Sequence, residues 1–266
     1  EMPGHCTAAL AAYPEFSCTG GPFKVPTEWG IHIDVYCPGK EATFHFLQSV
    51  IDEVIPLFPG QFIHIGGDEV HKDRWKASPE CQALMKAEHL TSEEELQSYF
   101  VKRITAYIQS KGKRVIGWDE ILEGGLAPGA AVMSWRGTKG GIAASDAGHD
   151  VVMCPTSNCY LDYSQVDEPG PPKHGRLLLK TVYSFDPSAG LTPAQASHVL
   201  GTQGNLWTER VPTVVRADEQ LFPRLCAIAE DGWTDVSNKN WDGFCQRVNQ
   251  FEQRLTELGV EYYRPK

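Results

Sequence analysis

The sequence predicts an α/β fold of the (β/α)8 barrel type, and three observations support this. Short apolar runs alternate with amphipathic stretches of helical period, which is the pattern of parallel βα units. Five of the runs end in aromatic or acidic residues, as expected where the carboxyl ends of barrel strands converge on one face. The length of 266 residues suits one domain of barrel size. A doubly wound sheet is the alternative, but it would gather its ligand groups at one switch point.

The first predicted strand is the clearest, because apolar residues lead into two glycines and then two adjacent carboxylates. Phe62, Ile63 and Ile65 precede Gly66-Gly67, and Asp68-Glu69 follows. This pattern indicates a buried strand that ends at an open, ligand-facing edge. Asp68 and Glu69 are also compatible with the first turn of a helix, where acidic residues complement the macrodipole. The other four predicted strands and their following residues are 114–120, 131–135, 151–162 and 200–209.

The predicted helices have apolar residues three and four positions apart. Ser92 and Glu95 have the spacing of a capping box at the start of one helix. The remaining chain includes a long loop over residues 13–38 and a proline-rich loop over 165–175. The predicted helices cover residues 41–58, 92–112, 139–147, 218–231 and 241–259.

The composition excludes some classes of function. A net charge of −10 without a basic cluster argues against binding to a nucleic-acid backbone. No apolar run approaches the roughly 20 residues that span a bilayer. The eight cysteines lack the tight C-x-x-C spacing of zinc sites. Cys18 and Cys37 flank a loop that a disulfide could close in an oxidising compartment, and the other six are expected to be buried free thiols.

Several motifs, taken together, resemble the catalytic barrel of family 20 glycoside hydrolases, the β-N-acetylhexosaminidases. They are His64-x-Gly66-Gly67-Asp68-Glu69, Gly117-Trp118-Asp119-Glu120, Ser134-Trp135, Tyr160-x-Asp162 and Trp207-x-Glu209. Residues 1–5 resemble the family's Pro-Gly-His segment at the end of the third strand, and residues 221–224 resemble its last-helix signature.

The resemblance implies that residues 1–266 are a single catalytic barrel domain that begins near the end of the third strand. The family's first two strands, most of the third and a substrate-binding arginine would precede this sequence. We therefore expect an N-terminally truncated barrel, which a missing segment or a second chain would complete because open strand edges are unfavourable.

The function that the resemblance implies is that of a retaining exo-β-N-acetylhexosaminidase acting by substrate-assisted catalysis. Its substrates would be glycoconjugates or chitooligosaccharides with terminal N-acetylglucosamine or N-acetylgalactosamine. Glu69 would be the acid and base, Asp68 would accept the acetamido N–H, and Tyr160 would hold the acetamido oxygen. No cofactor or metal is implied, because acid–base catalysis with an internal nucleophile needs none.

The resemblance also implies residues that contact the sugar. His5 would lie beside Glu69 and help to set its protonation, and Asp162 and Glu209 would accept hydrogen bonds from sugar hydroxyls. The walls of the acetamido pocket would be Trp118, Trp135 and Trp207. A tryptophan at a strand end is also compatible with half-buried core, and His64 is expected to be a core histidine.

Two other functions fit parts of the sequence. Gly66-Gly67-Asp68-Glu69 also matches the core of cyclases that make cyclic dinucleotides, but that motif lies on an antiparallel hairpin and requires a metal. The second alternative is a catalytically weak or inactive barrel fragment that binds N-acetylhexosamines, although such a fragment would not require both carboxylates. The family and the Cys18/Cys37 spacing favour a periplasmic or secreted location.

Overall fold

The computed structural model describes residues 1–166 and 175–264. Most of the predicted proline-rich loop, residues 167–174, lies outside the described residues. Contacts divide the chain into two compact units, Glu1–Met133 and Ser134–Lys266, and each is described by itself. The prediction of a single domain over residues 1–266 stays a prediction.

The first unit contains parallel strands that pair in chain order. Phe62, Ile63 and His64 lie opposite Arg114, Val115 and Ile116, and the second strand continues against the third. The elements are α1 (Thr7–Ala12), α2 (Glu41–Leu57), β1 (Phe62–His64), α3 (Asp73–Ala77), α4 (Pro79–Ala87), α5 (Glu93–Ser110), β2 (Arg114–Trp118) and β3 (Ala131–Ser134), whose last residue begins the second unit.

Two long helices form as the apolar periodicity predicts, with α5 packed on β2 and α2 packed on α5. Phe44 of α2 is fully buried, and its ring centroid lies 5.2 Å from that of Phe100 in α5. The Ser92 hydroxyl accepts a hydrogen bond from the Glu95 amide at 3.2 Å and so caps α5. The Glu95 carboxylate accepts from Thr91, one residue before the cap, so the reciprocal half of the predicted capping box is displaced by one residue.

The second unit contains two parallel strands and the helices that surround them. Val151 and Met153 lie opposite Val199 and Thr202, and the Cys154 amide donates to the Ser134 carbonyl at 3.0 Å. The elements are α6 (Lys139–Asp146), β4 (Val151–Met153), α7 (Thr156–Cys159), α8 (Leu179–Tyr183), α9 (Pro193–Ala196), β5 (Val199–Thr202), α10 (Val214–Leu221), α11 (Arg224–Trp233) and α12 (Trp241–Glu257).

The structure corrects one predicted helix of this unit. Residues 218–231 do not form one helix, because α10 ends at Leu221 and α11 begins at Arg224. Pro223 lacks the amide hydrogen that a helix interior needs, so the chain is interrupted there. Over the described part of the chain, none of the helices combines the length and apolar character needed to cross a bilayer.

Candidate active site

The turn after β1 is built on glycines. Hydrogen bonding continues past the strand, since the Ile65 amide donates to the Ile116 carbonyl at 3.0 Å. Gly66 and Gly67 then have φ values of +80° and +96°, which residues with a Cβ rarely adopt. A Cβ on Gly67 would also lie 2.6 Å from Ile121 Cγ2. Only glycine fits this turn, which places the next two carboxylates at the end of the strand.

His5, Asp68 and Glu69 form a cluster at this turn, as predicted. His5 Nε2 lies 3.2 Å from Asp68 Oδ2 and 3.3 Å from Glu69 Oε2. The three side chains are 28%, 14% and 31% exposed, so a ligand in solvent can reach the cluster. His5 and Glu69 both have positive φ values, +50° and +51°, which are uncommon for residues other than glycine. Such strain is concentrated at functional sites.

The electrostatics of the cluster favour a charged His5 and an ionised Asp68. The hydrogen bond to Asp68 raises the pKa of His5, and the charge of that carboxylate adds to the effect. Burial is the largest single influence and would raise the pKa of Asp68. The hydrogen bond and charge of His5, together with hydrogen bonds from Glu1 and the backbone, lower that pKa below its ordinary value. Asp68 Oδ1 is buried and makes no hydrogen bond within the described residues, so Asp68 keeps an acceptor atom beyond its contact with His5.

Residues that sequence reasoning missed surround the cluster. The Glu1 carboxyl lies beside Asp68, and desolvation followed by the charge of Asp68 raises its pKa. Gln97, buried on α5, donates to the Gly67 carbonyl at 2.7 Å and fixes the turn from behind. A glutamine directly after Leu96 on the buried side of an amphipathic helix is the one signal that could have identified it. Nothing in the sequence signals the position of Glu1.

The backbone of residues 1–5 is held against the end of β1. The Met2 amide donates to the Ile65 carbonyl at 2.9 Å, and the Tyr36 amide donates to the Pro3 carbonyl at 3.0 Å. Two hydrogen bonds from different elements therefore fix the segment that carries His5.

Trp118 and His64 lie together at the ends of their strands. Trp118 is buried, and its ring contacts the His64 ring edge-on with the centroids 4.8 Å apart. The prediction that His64 is a core histidine is correct only in part: the residue is exposed, yet burial of its ring lowers the pKa of His64 to about 4. Its Nδ1 is nevertheless paired, since it accepts a hydrogen bond from the Gly66 amide at 3.1 Å.

The second unit brings together the predicted residues Tyr160, Trp135 and Trp207. The rings of Trp135 and Tyr160 are stacked with their centroids 6.2 Å apart. Burial raises the pKa of Tyr160, and a hydrogen bond from the Trp207 side chain opposes that rise, so the tyrosine remains a neutral hydroxyl at neutral pH. Trp207 is 39% exposed and can therefore offer an indole face to a ligand.

Asp162 and Glu209 occupy different environments. Asp162 is buried. Burial lowers the pKa of Arg224, and the negative charge of Asp162 acts in the opposite direction and raises it. Arg224 is itself fully buried and donates to the carbonyls of Tyr163, at 2.8 Å, and Leu177, at 2.9 Å. It thereby fixes the segment that carries Tyr160 and Asp162, a role that its sequence motif does not reveal. Glu209 lies exposed in a turn.

Two groups of side chains have the spacing of metal ligands within the described residues: His5 with Asp68 and Glu69, and three cysteines, Cys18, Cys37 and Cys81. In the first group, His5 already bridges the two carboxylates. The Gly-Gly-Asp-Glu motif follows a strand that pairs in parallel with its neighbour, so the cyclase alternative, which needs an antiparallel hairpin, is wrong.

The family comparison agrees with this geometry. A family model described as "Glycosyl hydrolase family 20, catalytic domain" matches residues 1–236. The chain is 51% identical to a beta-hexosaminidase of Porphyromonas gingivalis, over all of this chain and 35% of that protein. It is 31% identical to a beta-hexosaminidase of Akkermansia muciniphila, over 95% of this chain and 52% of that protein.

Solved structures give the same picture. The GH20 exo-β-N-acetylglucosaminidase of Vibrio harveyi, solved in complex with N-acetylglucosamine, superposes with a TM-score of 0.86 and 30% sequence identity. The match covers 99% of this chain and 42% of the Vibrio chain. This likeness confirms the predicted α/β barrel fold class. The chain spans about a third to a half of the length of the two curated relatives.

Proposed function

We propose, from the premise that the chain belongs to glycosyl hydrolase family 20, that it cleaves terminal β-linked N-acetylglucosamine or N-acetylgalactosamine from glycans with retention of configuration. The observation that carries this proposal is the cluster at the end of β1, where His5 contacts two adjacent carboxylates at 3.2 and 3.3 Å. Adjacent carboxylates cannot easily act from opposite faces of one glycosidic bond, so the nucleophile is assigned to the substrate.

In the proposed reaction the acetamido carbonyl oxygen attacks the anomeric carbon while Glu69 protonates the departing glycosidic oxygen. Asp68, whose pKa is kept low by His5, accepts the acetamido N–H and stabilises the positive charge that develops on the ring formed. Glu69, now a carboxylate, then removes a proton from water as the water attacks the same carbon. The acetamido group is restored and the sugar is released.

The residues of the second unit are proposed to orient the sugar. The Tyr160 hydroxyl, kept protonated by burial, would donate to the acetamido oxygen and hold it in line for attack. The indole faces of Trp135 and Trp207 are proposed, from the family resemblance, to pack against the acetamido methyl group. Asp162 and Glu209 would accept hydrogen bonds from sugar hydroxyls, and the exposed position of Glu209 supports a contact at the outer side of the sugar.

The test is release of p-nitrophenol from its β-N-acetylglucosaminide by the chain and by two variants. Loss of the general acid in Glu69→Gln is expected to lower kcat about 100-fold or more. Glu53→Gln, on the exposed side of α2, should retain the parent rate. A thiazoline that mimics the cyclised intermediate should inhibit.

Three results would contradict the proposal in different ways. Turnover that survives in Glu69→Gln would show that another residue is the acid. Turnover without thiazoline inhibition would exclude acetamido participation. Thiazoline binding without turnover in the parent chain would support the alternative of a binding-only fragment.

A periplasmic or secreted location is also proposed, on the strength of the family resemblance. Cell fractionation of the source organism with an antibody against this chain tests it. Recovery of the protein in the cytoplasmic fraction would contradict it.

A further inference from the structure

Three cysteines that are distant in the sequence meet inside the first unit. Cys37 Sγ lies 3.5 Å from Cys81 Sγ, and Cys18 Sγ lies 3.8 Å from the same atom. All three sulfur atoms lie within 4.8 Å of one another. Cys18 and Cys37 flank the long loop and Cys81 lies in α4, so the group joins two parts of the chain. All eight cysteines are free thiols, so the disulfide that Cys18 and Cys37 could form in an oxidising compartment is not present.

We propose that Cys18, Cys37 and Cys81 bind a zinc-class divalent cation, with the Ser78 hydroxyl or a water molecule completing the coordination. Zinc binds thiolate sulfur at about 2.3 Å, and in a tetrahedron two such sulfurs lie about 3.8 Å apart. The two measured separations, 3.5 and 3.8 Å, are close to this edge length. Both separations are far longer than the bond of about 2.05 Å between the sulfurs of a disulfide. A disulfide would also use only two of the three thiols.

The surroundings of Cys81 favour the thiolate that a metal requires. Cys81 is the third residue of α4, where the helix N-terminus stabilises negative charge. Its Sγ lies 3.5 Å from Cys37 Sγ and 3.8 Å from Cys18 Sγ, so both other thiols lie beside this helix N-terminus. Gly39 packs so closely on this turn that an added Cβ would lie 2.6 Å from the Cys81 amide. The backbone of residue 39 is thus held against the start of α4, beside Cys81.

Ser78 is placed to supply the fourth ligand. Its hydroxyl lies 3.9 Å from Cys37 Sγ and accepts a hydrogen bond from the Cys81 amide at 3.3 Å. The spacing of residues 78 and 81 equals that of a C-x-x-C zinc motif with serine at the first position. The site lies in an apolar cluster that includes Val35, Trp75 and Met85. A low-dielectric environment strengthens the attraction between thiolates and a cation.

A bound cation would stabilise the segment that carries His5. Tyr36, next to Cys37, donates its amide to the Pro3 carbonyl and accepts at its own carbonyl from Trp75 Nε1 at 2.9 Å. Cys37 is therefore connected through Tyr36 and Pro3 to the segment that carries His5. Loss of the cation would allow this backbone to move and would disturb the position of His5.

The first test measures zinc directly. The chain purified without chelators, or reloaded with zinc chloride, is expected to hold about one zinc per chain by plasma mass spectrometry. Removing a residue that only hydrogen-bonds to a metal ligand costs about 10–100-fold in metal affinity. Cys37→Ser removes a ligand itself, so it should weaken zinc binding by more than about 100-fold. The control is Cys245→Ser, a half-buried cysteine of α12 outside the cluster, which should bind as the parent does.

The second test adds a ligand, which guards against a Cys37→Ser variant that fails to fold. Ser78→Cys should complete a four-thiolate site and raise zinc affinity by about 10-fold or more, judged against a chromophoric chelator. Cadmium loading should give thiolate charge-transfer absorption that is stronger in Ser78→Cys than in the parent. Chelator treatment should lower the Tm of the parent but not that of Cys37→Ser.

Two results would overturn the proposal. Peptide mapping after alkylation could identify a disulfide that joins Cys81 to Cys18 or Cys37 in the protein purified without reductant. Alternatively, three alkylatable thiols with no zinc uptake in either the parent or Ser78→Cys would show that the cysteines serve only as small apolar core residues.

Discussion

At the residue scale, His5 is the group on which the acid cluster depends. It contacts both carboxylates, and the hydrogen bond that raises its own pKa also lowers that of Asp68. The lowered pKa keeps Asp68 ionised further into the acid range, and the raised pKa keeps His5 protonated further into the alkaline range. The pH range in which both are charged is therefore wider than for the isolated groups.

Replacing His5 with asparagine should narrow this range from the acid side. Without the imidazole the pKa of Asp68 rises, so the acid limb of the pH profile of kcat/KM is expected to move to higher pH. Asparagine tolerates the positive φ of position 5, so the backbone is kept. The control is His89→Asn, because His89 is exposed and has a similar φ of +57°. An unmoved acid limb in His5→Asn would contradict this role.

At this scale the sequence points to residues whose chemistry forms a recognisable motif, and it does not point to residues that act through their position in the fold. Asp68 and Glu69 follow a recognisable strand, and His5 was assigned through the family resemblance. Gln97 acts through a hydrogen bond to the Gly67 carbonyl across 30 residues of sequence. Polar residues that border the apolar face of a helix cannot be distinguished from one another by the sequence pattern. Such a contact is therefore identified only from the three-dimensional structure.

At the element scale, Arg224 fixes the segment that carries Tyr160 and Asp162. Its guanidinium donates to the carbonyls of Leu161, Tyr163, Leu177 and Gln220, and the residue is fully buried. Burial lowers its pKa to about 10, which still leaves the side chain charged at neutral pH. A single cation thus satisfies carbonyl groups that no strand or helix pairs.

Arg224→Met should therefore destabilise the protein strongly. Several buried carbonyls would lose their donors, and at about 1–3 kcal/mol each the free energy of unfolding should fall by more than about 3 kcal/mol. Arg216→Met, on the exposed surface of α10, should change it by less than about 0.5 kcal/mol. Urea unfolding of both variants makes the comparison. Equal stabilities would show that water can replace the guanidinium.

Elements with a strong period or cap were predicted, and so was the eight-residue helix α6, whereas some other short elements were not. The strand after Lys113 ends at Trp118 as expected, and α2 and α12 match their apolar stripes within a few residues. α3 and α4 were not predicted, since their five and nine residues show only a weak apolar period. The strand predicted over residues 200–206 ends at Thr202, although an isolated parallel bridge between Tyr160 and Asn205 follows it.

At the scale of the whole molecule, the charge governs how copies of the chain interact. The net charge is −10 at pH 7 and the isoelectric point is about 5.4. Repulsion between copies should therefore weaken as the pH falls from 7 to the isoelectric point. Light scattering should show a second virial coefficient that decreases over this range. At pH 7, added salt should also decrease the second virial coefficient, because it screens the charges. A coefficient that changes with neither pH nor salt would contradict this expectation.

The fold class could be predicted from sequence because alternating strands and helices leave few architectures. The cysteine group could not, since its members are 19 and 44 residues apart and only the closed loop and α4 bring them together. Local spacing identifies a metal site only where the ligands come from one turn or hairpin.

The left-handed backbone conformation of Glu69 lowers stability at a position where the glutamate is needed for catalysis, so selection for stability and selection for activity oppose each other here. A side chain of this kind at a φ of +51° costs about 1–2 kcal/mol, and asparagine tolerates that conformation better. Glu69→Asn should therefore melt no lower than the parent while losing turnover, a trade-off that differential scanning fluorimetry beside the activity assay would reveal. Laboratory evolution for heat resistance alone would discard this glutamate, and only selection for sugar release would retain it.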